Sequence, residues 1–445
     1  MALTTLVYMV LFWGSAVGSV FFNPLVGVLA YLVTYHVDPR SQWWIWGIPI
    51  WAARYALILG SATFLGMIFR SGTLKYKKLL DGQEILLWVY VAFVTLSLLL
   101  GLPNPHPQDN FIKMAKVAFI LFLAGHIITT LKRYETLLYA LIFSGLVLGI
   151  NVYTAPRDFF NQGRFQAGIG GSDFSDGNVL SGHFLCVLPL LGIIFIKGKW
   201  WAKCFCMVSA LFMVNSIIQI KSRGSFLAIA ACTLFAILLA KKVGRKKILP
   251  FLLIGIAGGA YLMDPGYLVR MRTVEETDTQ QMDGSSASRL HFWGIAIKMA
   301  IDYPLGIGEG NYLNYIANYD AGLVKGRDTH NTYLRCLAEL GFQGLIVLLL
   351  LIVNSFRILS QISKKAEGLN NKQAYLLHVY ALRIALIGYL VVAFFISATY
   401  VEDLFWILMY PLFLKRCIEN EGPESHMEAG RSLSLDAEGA PIMGV

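Results

Sequence analysis

An all-α, polytopic integral membrane protein is the fold class this chain predicts, on three observations. Hydrophobic residues make up 56% of its 445 and charged residues only 14%, far from the balance of a soluble domain. Continuous Leu-, Ile- and Ala-rich stretches near the roughly 20 residues of a spanning helix recur along most of the chain. Lys and Arg gather in short loops that fall on one side once the spans are drawn, the charge bias of cytoplasmic loops. A transmembrane β-barrel would instead alternate apolar and polar positions in segments of about 10 residues.

Residues 4–36 are apolar but broken at Asn23-Pro24, where proline and the restricted residue before it disfavour a continuous helix. This stretch is read as one crossing plus an interfacial piece, with no basic n-region and no cleavage site of a removable signal peptide. Spans follow near 46–69, 84–102, 112–131, 135–153, 178–196, 203–220, 224–240, 247–263, 336–356, 378–398 and 402–416, about twelve in all; two crossings within 4–36 would make thirteen. The basic loops 70–78, 132–133, 197–203, 241–247 and 357–372 then share the cytoplasmic side with the end of the last span. Opposite them lie 37–45, 103–111, 154–177, 221–223, 264–335 and 399–401. Residues 1–416 form one transmembrane domain including the loop 264–335, and 417–445 form a polar tail expected to be disordered.

The loop 264–335 is too long for a simple connector. Ser285, Ser286 and Ser288 offer N-caps for a helix running from Arg289 to Asp302, too short to span and so placed at the interface. Alternating glycines at 306, 308 and 310 then turn the chain. The six cysteines lie in or beside apolar spans and read as buried small hydrophobes, not a disulfide framework or metal site.

His330 is the sharpest chemical candidate. Asp328 or Thr329 is expected to cap a helix beginning near Asn331. The positive end of that helix favours a neutral imidazole, the form a general base needs; Asp328 or Glu339 is available to orient it. A lone His is as often structural, and His291 is weaker because it sits on the aromatic face of the interfacial helix. Arg223 stands between Lys221, Ser222 and Gly224 at the junction of two spans, which gathers donors for an anion; a snorkelling helix-end Arg is the plainer reading. Arg289 opens its helix with the same ambiguity. Arg164, Asp173 and Asp176 lie in a Gly-rich loop, 163–178, suited to closing a sugar or diphosphate site but equally a plain loop. Glu402 and Asp403 begin the last span in reach of an acceptor. No Walker A, His-Glu-x-x-His, Gly-x-Ser-x-Gly or Asp-x-Asp signature is present, so arginines would supply the positive charge that a cation gives elsewhere.

Four pieces in order resemble the O-antigen ligase and polymerase superfamily: Ser222-Arg223-Gly224, Ser285-x-x-x-Arg289, Asp302-x-Pro304-x-Gly306-x-Gly308, and His330-Asn331-x-Tyr333-Leu334 with Glu339-x-Gly341. With the span pattern the resemblance covers roughly 20–416 and is nearest to the lipopolysaccharide O-antigen ligases. It implies a GT-C-like, inverting, metal-independent glycosyltransferase of the bacterial inner membrane, without cofactor, its active site facing the periplasm. The donor implied is a glycan on undecaprenyl diphosphate, the acceptor lipid A–core, and the surroundings membrane lipid. Carried over by position, His330 activates the acceptor, Arg223 and Arg289 bind the diphosphate, and Arg164, Asn331 and Tyr333 join the substrate site. O-antigen polymerases and protein O-oligosaccharyltransferases use the same donor and remain alternatives. A flippase or exporter of lipid-linked sugars is the non-enzyme alternative, though it would more often place ionisable groups near mid-bilayer. The formal net charge of +10, 37 basic less 27 acidic residues, comes mostly from the cytoplasmic loops, and nothing points to nucleic acid.

Overall fold

Asn23 and Pro24 interrupt the first apolar stretch as their chemistry requires. Helix α1 (Leu3–Phe21) ends before them, and Asn23 caps α2 (Pro24–His36) by accepting from the Leu25 amide at 3.1 Å. The structure is a computed structural model and describes residues 3–42, 54–70, 79–104, 109–161, 163–166, 169–240, 284–320 and 326–421. The expected span 247–263, the start of the long loop at 264–283, and 422–445 lie outside the described residues.

The bundle continues with α3 (Tyr55–Phe69), α4 (Gly82–Leu100), α5 (Asn110–Ile127) and α6 (Leu131–Tyr153). A two-residue hairpin follows, β1 (Phe160–Asn161) against β2 (Arg164–Phe165). Then come α7 (Gly177–Lys197), α8 (Trp200–Ile220) and α9 (Arg223–Leu239). Two helices, α10 (Gly284–Asp302) and α11 (Tyr312–Tyr319), precede α12 (Thr332–Lys365), α13 (Lys372–Val392) and α14 (Glu402–Asn420).

Among the described residues eight helices are long and apolar enough to cross a membrane, and α3 and α9 are shorter apolar helices. Large apolar side chains of α1, α4, α8 and α9 remain on the outer surface, the arrangement lipid favours because it is as apolar as the core. The chain is an all-α, multi-pass membrane protein. Eight is fewer than the twelve expected, partly because 43–53 and 241–283 lie outside the described residues.

The expected last span is the most instructive difference. Helix α14 carries Glu402, Asp403, Lys415, Arg416 and Glu419 and is not among the eight. It packs instead at the centre, against α5, α6, α12 and α13, and nearly every side chain from Glu402 to Ile418 is buried. Its charges are paired at the far end: Lys415 Nζ lies 2.6 Å from Asp81 and Arg416 2.5 Å from Glu84. It also runs on to Asn420, four residues past the expected end of the domain at 416.

Helix α12 changes character at Gly341, whose φ of 71° breaks the helical backbone. That break frees the Ala338 and Glu339 carbonyls, which accept from the Ile307 and Gly308 amides at 2.9 and 3.0 Å, while Phe342 N donates to Pro304 O at 3.1 Å. Gly306 stands at φ 93°, where an added Cβ would collide with the Glu339 carbonyl. The alternating glycines thus let a turn nest against the kink and satisfy its orphan carbonyls. Before the kink, α12 packs with α10 and α11 in a second small core of Phe292, Ile295, Met299, Tyr312, Ile316 and Ala338. Helix α10 buries Phe292, Ile295 and Met299 in this core, while Leu290, Ile297 and Ile301 stay exposed.

Candidate functional site

The connection 393–401 between α13 and α14 is the seat of the site. The sequence suggests helix to 398, but α13 ends at Val392 because the next residues bond to Thr332 instead. Thr332 N donates to Ala393 O (2.9 Å) and its hydroxyl to Ile396 O (2.8 Å); it accepts from Ala398 N (2.9 Å), and its carbonyl accepts from the Thr399 hydroxyl (3.1 Å). Ser397 Oγ donates to Asp328 at 2.7 Å and lies 3.1 Å from Thr329 Oγ1. On another side of the same connection sits the start of α9. A Cβ on Gly224 would lie 2.7 Å from the Phe395 side chain, so only glycine allows Arg223 and its helix this approach. The connection therefore gathers two stretches of chain more than a hundred residues apart, one bearing Arg223 and the other His330.

His330 occupies the left-handed region at φ 46°, between the buried Thr329 and Asn331, and is itself half-buried. Among the described residues the other non-glycine residue with positive φ is Lys221 at 49°, two residues before Arg223. Such conformations are uncommon for residues with a Cβ and concentrate at functional sites. The helix cap differs from expectation. Asn331, not Asp328 or Thr329, accepts from the Tyr333 and Leu334 amides at 3.0 Å each, which leaves His330 just outside the helix. Asn331 is 2% exposed, so its side chain shapes the site from beneath. Tyr333 donates to Leu390 O at 3.0 Å and packs its ring 4.6 Å from that of Phe394.

Behind His330 is a cation that composition alone did not single out. Arg335, 8% exposed, lies 3.4 Å from Asp328 and 3.2 Å from Glu339 one turn on. Burial alone would raise the Asp328 carboxyl, but the Arg335 guanidinium and nearby His330 hold it below the ordinary range. Glu339, fully buried, also accepts from Tyr312 N at 3.2 Å. Glu309, 1% exposed at the end of the glycine turn, differs: burial pushes it up to about 7, and Glu339 nearby adds to the rise.

Helix α10 reaches the same place. Trp293 Nε1 donates to Thr329 O at 3.0 Å, and Arg289 stands one turn earlier on that face. His291 lies on the opposite flank, 2.8 Å from Asp320. It lines an open cavity of about 510 Å³ with Leu290, Gly294, Ile295, Lys298, Tyr319 and Asp320, a set that does not include Arg223, Arg289 or His330.

Arg164 holds the turn before Arg223. Its Nε donates to Ile220 O and its Nη2 to Asn178, both at 2.8 Å, so it satisfies a carbonyl at the end of α8 and ties β2 to that turn. The loop carboxylates Asp173 and Asp176, which the sequence leaves open between a substrate site and a plain loop, make contacts within the fold. Asp176 caps α7 through Asn178 N at 2.8 Å, and Asp173 pairs with Lys113 and accepts from Tyr35 Oη (2.9 Å) and Glu402 N (3.0 Å). Glu402 and Asp403, expected to face an acceptor, are each only 4% exposed. Asp403 instead meets His183 and His36 inside the bundle. An ionisable residue inside a span, as His183 is, was the signal that would have pointed there.

Residues 208–349 match a family model described as O-antigen ligase. Comparison with curated proteins returns no match. The matched segment runs from α8 through the kink of α12 and holds Arg223, Arg289, His330, Asn331 and Tyr333. Arg164 and the connection 393–401 lie outside it. The chain thus carries the O-antigen ligase domain over residues 208–349 and is a membrane enzyme of the glycosyltransferase type.

Proposed function

We propose that this protein transfers O-antigen polysaccharide from undecaprenyl diphosphate to the terminal sugar of lipid A–core at the periplasmic face of the inner membrane. The observation that carries this reading is the convergence on one connection of the His330 segment and the start of α9, with α10 joined to Thr329. His330 takes the proton of the acceptor hydroxyl as its oxygen attacks the anomeric carbon from the face opposite the diphosphate, inverting the configuration. The bond from that carbon to the diphosphate oxygen breaks, and Arg223 and Arg289 stabilise the charge left on the phosphate by planar, paired donors, with no metal at the diphosphate. Asp328 favours the imidazolium formed, and Arg164 fixes the turn that presents Arg223.

The test is reconstitution. Purified protein in detergent, given lipid-diphosphate glycan and lipid A–core with no other protein and no added Mg²⁺ or Mn²⁺, is expected to form the ligated product. Parallel reactions with a second glycan chain or an acceptor protein separate ligase from polymerase and protein glycosyltransferase. Movement of the donor across vesicles without product formation would overturn the reading in favour of a flippase.

A further inference from the structure

A second polar cluster lies at the same end of the bundle, sealed from solvent and outside the matched segment. His36 at the end of α2, His183 in the second turn of α7 and Asp403 at the start of α14 are 0%, 0% and 4% exposed. His183 Nδ1 is 3.0 Å and His36 Nε2 3.6 Å from the same carboxylate oxygen, and the two rings are 4.5 Å apart. One potential ligand atom from each residue falls within 4.8 Å of the other two. Tetrahedral bonds of about 2.0–2.1 Å to nitrogen and oxygen place ligand atoms roughly 3.3 Å apart, close to both measured separations.

The hydrogen bonds orient the donors. His36 Nδ1 lies 2.7 Å from Leu32 O, which can only accept, so Nδ1 carries the proton and Nε2 turns a lone pair toward Asp403. A backbone carbonyl fixing the tautomer in this way is the usual support of a metal-bound histidine. Among the described residues His36 Nε2, His183 Nε2 and Asp403 Oδ2 are buried with no hydrogen-bond partner. Of these, His36 Nε2 faces the shared carboxylate oxygen, and an unsatisfied nitrogen in a dry place is costly unless something occupies the space before it.

We propose that His36, His183 and Asp403 bind one divalent transition-metal ion of the zinc type. Two imidazoles and one carboxylate form a donor set such an ion prefers over Mg²⁺ or Ca²⁺, which take mostly oxygen. Binding at Nδ1 displaces the His183 proton from that nitrogen, either to Nε2 or to solvent. The ion joins α2, α7 and α14 beside the 393–401 connection. It is a tether for the helices that seat the site, distinct from the diphosphate position, and does not depend on the proposed transfer reaction.

The test is metal content. Full-length protein purified in detergent from zinc-supplemented cells is expected to hold about one Zn²⁺ per chain by mass spectrometry, and His183→Ala and Asp403→Asn to hold close to none. Protein from cobalt-supplemented cells is expected to show visible d–d absorption that His36→Gln weakens. If the variants fail to fold, the wild-type stoichiometry and cobalt spectrum decide alone. Wild-type zinc below about a tenth of an ion per chain, with no cobalt band, would overturn the site and leave a proton-bound His–Asp contact.

Discussion

Two clusters of acid, base and histidine flank the 393–401 connection, and they differ in access. Around Arg335 the carboxylates of Asp328 and Glu339 each find a cation, while His330 and Arg223 are only half-buried. Around Asp403 both histidines are sealed, and three polar atoms there lack partners among the described residues. Charge density alone therefore does not mark a catalytic centre. A group that reacts with a bulky lipid-linked glycan must be reachable, and its supporting charges must already be neutralised so that substrate is the only new charge to stabilise. The sealed cluster suits an ion that arrives during folding; the open one suits a substrate that comes and goes.

Removing Arg335 is expected to have the largest effect. Arg335→Ala leaves Asp328 and the fully buried Glu339 without their shared cation, which costs about 3–5 kcal/mol for a broken buried pair. Yield of monodisperse protein and its melting temperature should both collapse, with Arg335→Lys recovering part; a variant as stable as wild type would make the open cluster as self-sufficient as the sealed one.

Next come the arginines toward the substrate. Arg223→Ala and Arg289→Ala should each reduce kcat/KM for the lipid-diphosphate donor by roughly 10–100-fold, the worth of a charged hydrogen bond, with little loss of stability. Lys should restore only part because it lacks the planar fork. Equal loss toward donor and acceptor would place these side chains elsewhere.

The smallest effect belongs to Glu309. Its folded value of about 7 lies above the ordinary 4.5, so the folded protein holds that proton more tightly than the unfolded chain. Its stability contribution is fully present below 4.5, falls as pH rises toward 7, and is flat above. Glu309→Gln should leave the melting temperature unchanged near pH 4.5 and raise it at pH 8 by the equivalent of about 1–2 kcal/mol. A variant that tracks wild type at every pH would show that Glu309 is ionised at no cost.

Much of this molecule is legible in its sequence because hydrophobic length and local caps are local signals. The break at Asn23-Pro24, the helix near Asn331 and the glycine turn at 306–310 each follow from residues within a few positions of one another. Helix α14 was harder, since its charges at both ends look like span boundaries but meet residues on or beside α2, α4 and α7 inside the bundle. The cluster of His36, His183 and Asp403 draws on residues separated by 147 and 220 positions, and no spacing rule joins them. The connection 393–401 hid for a related reason: Ala393, Phe394 and Phe395 read as span, and only Thr332, sixty residues away, pulls them out of the helix. Likewise Arg164, Asp173 and Asp176 carry the chemistry of a binding loop, but partners such as Ile220 O, Lys113, Tyr35 and the Glu402 amide are distant in sequence and not revealed by it.

The claim that the open cluster is the catalytic one is tested most directly at His330, in purified protein supplied with saturating donor and acceptor. His330→Ala is expected to fold and bind donor like wild type while turnover falls by about 10²–10⁴-fold, the usual contribution of a general base. Near-normal turnover in that variant would contradict the assignment and take His330 out of the reaction.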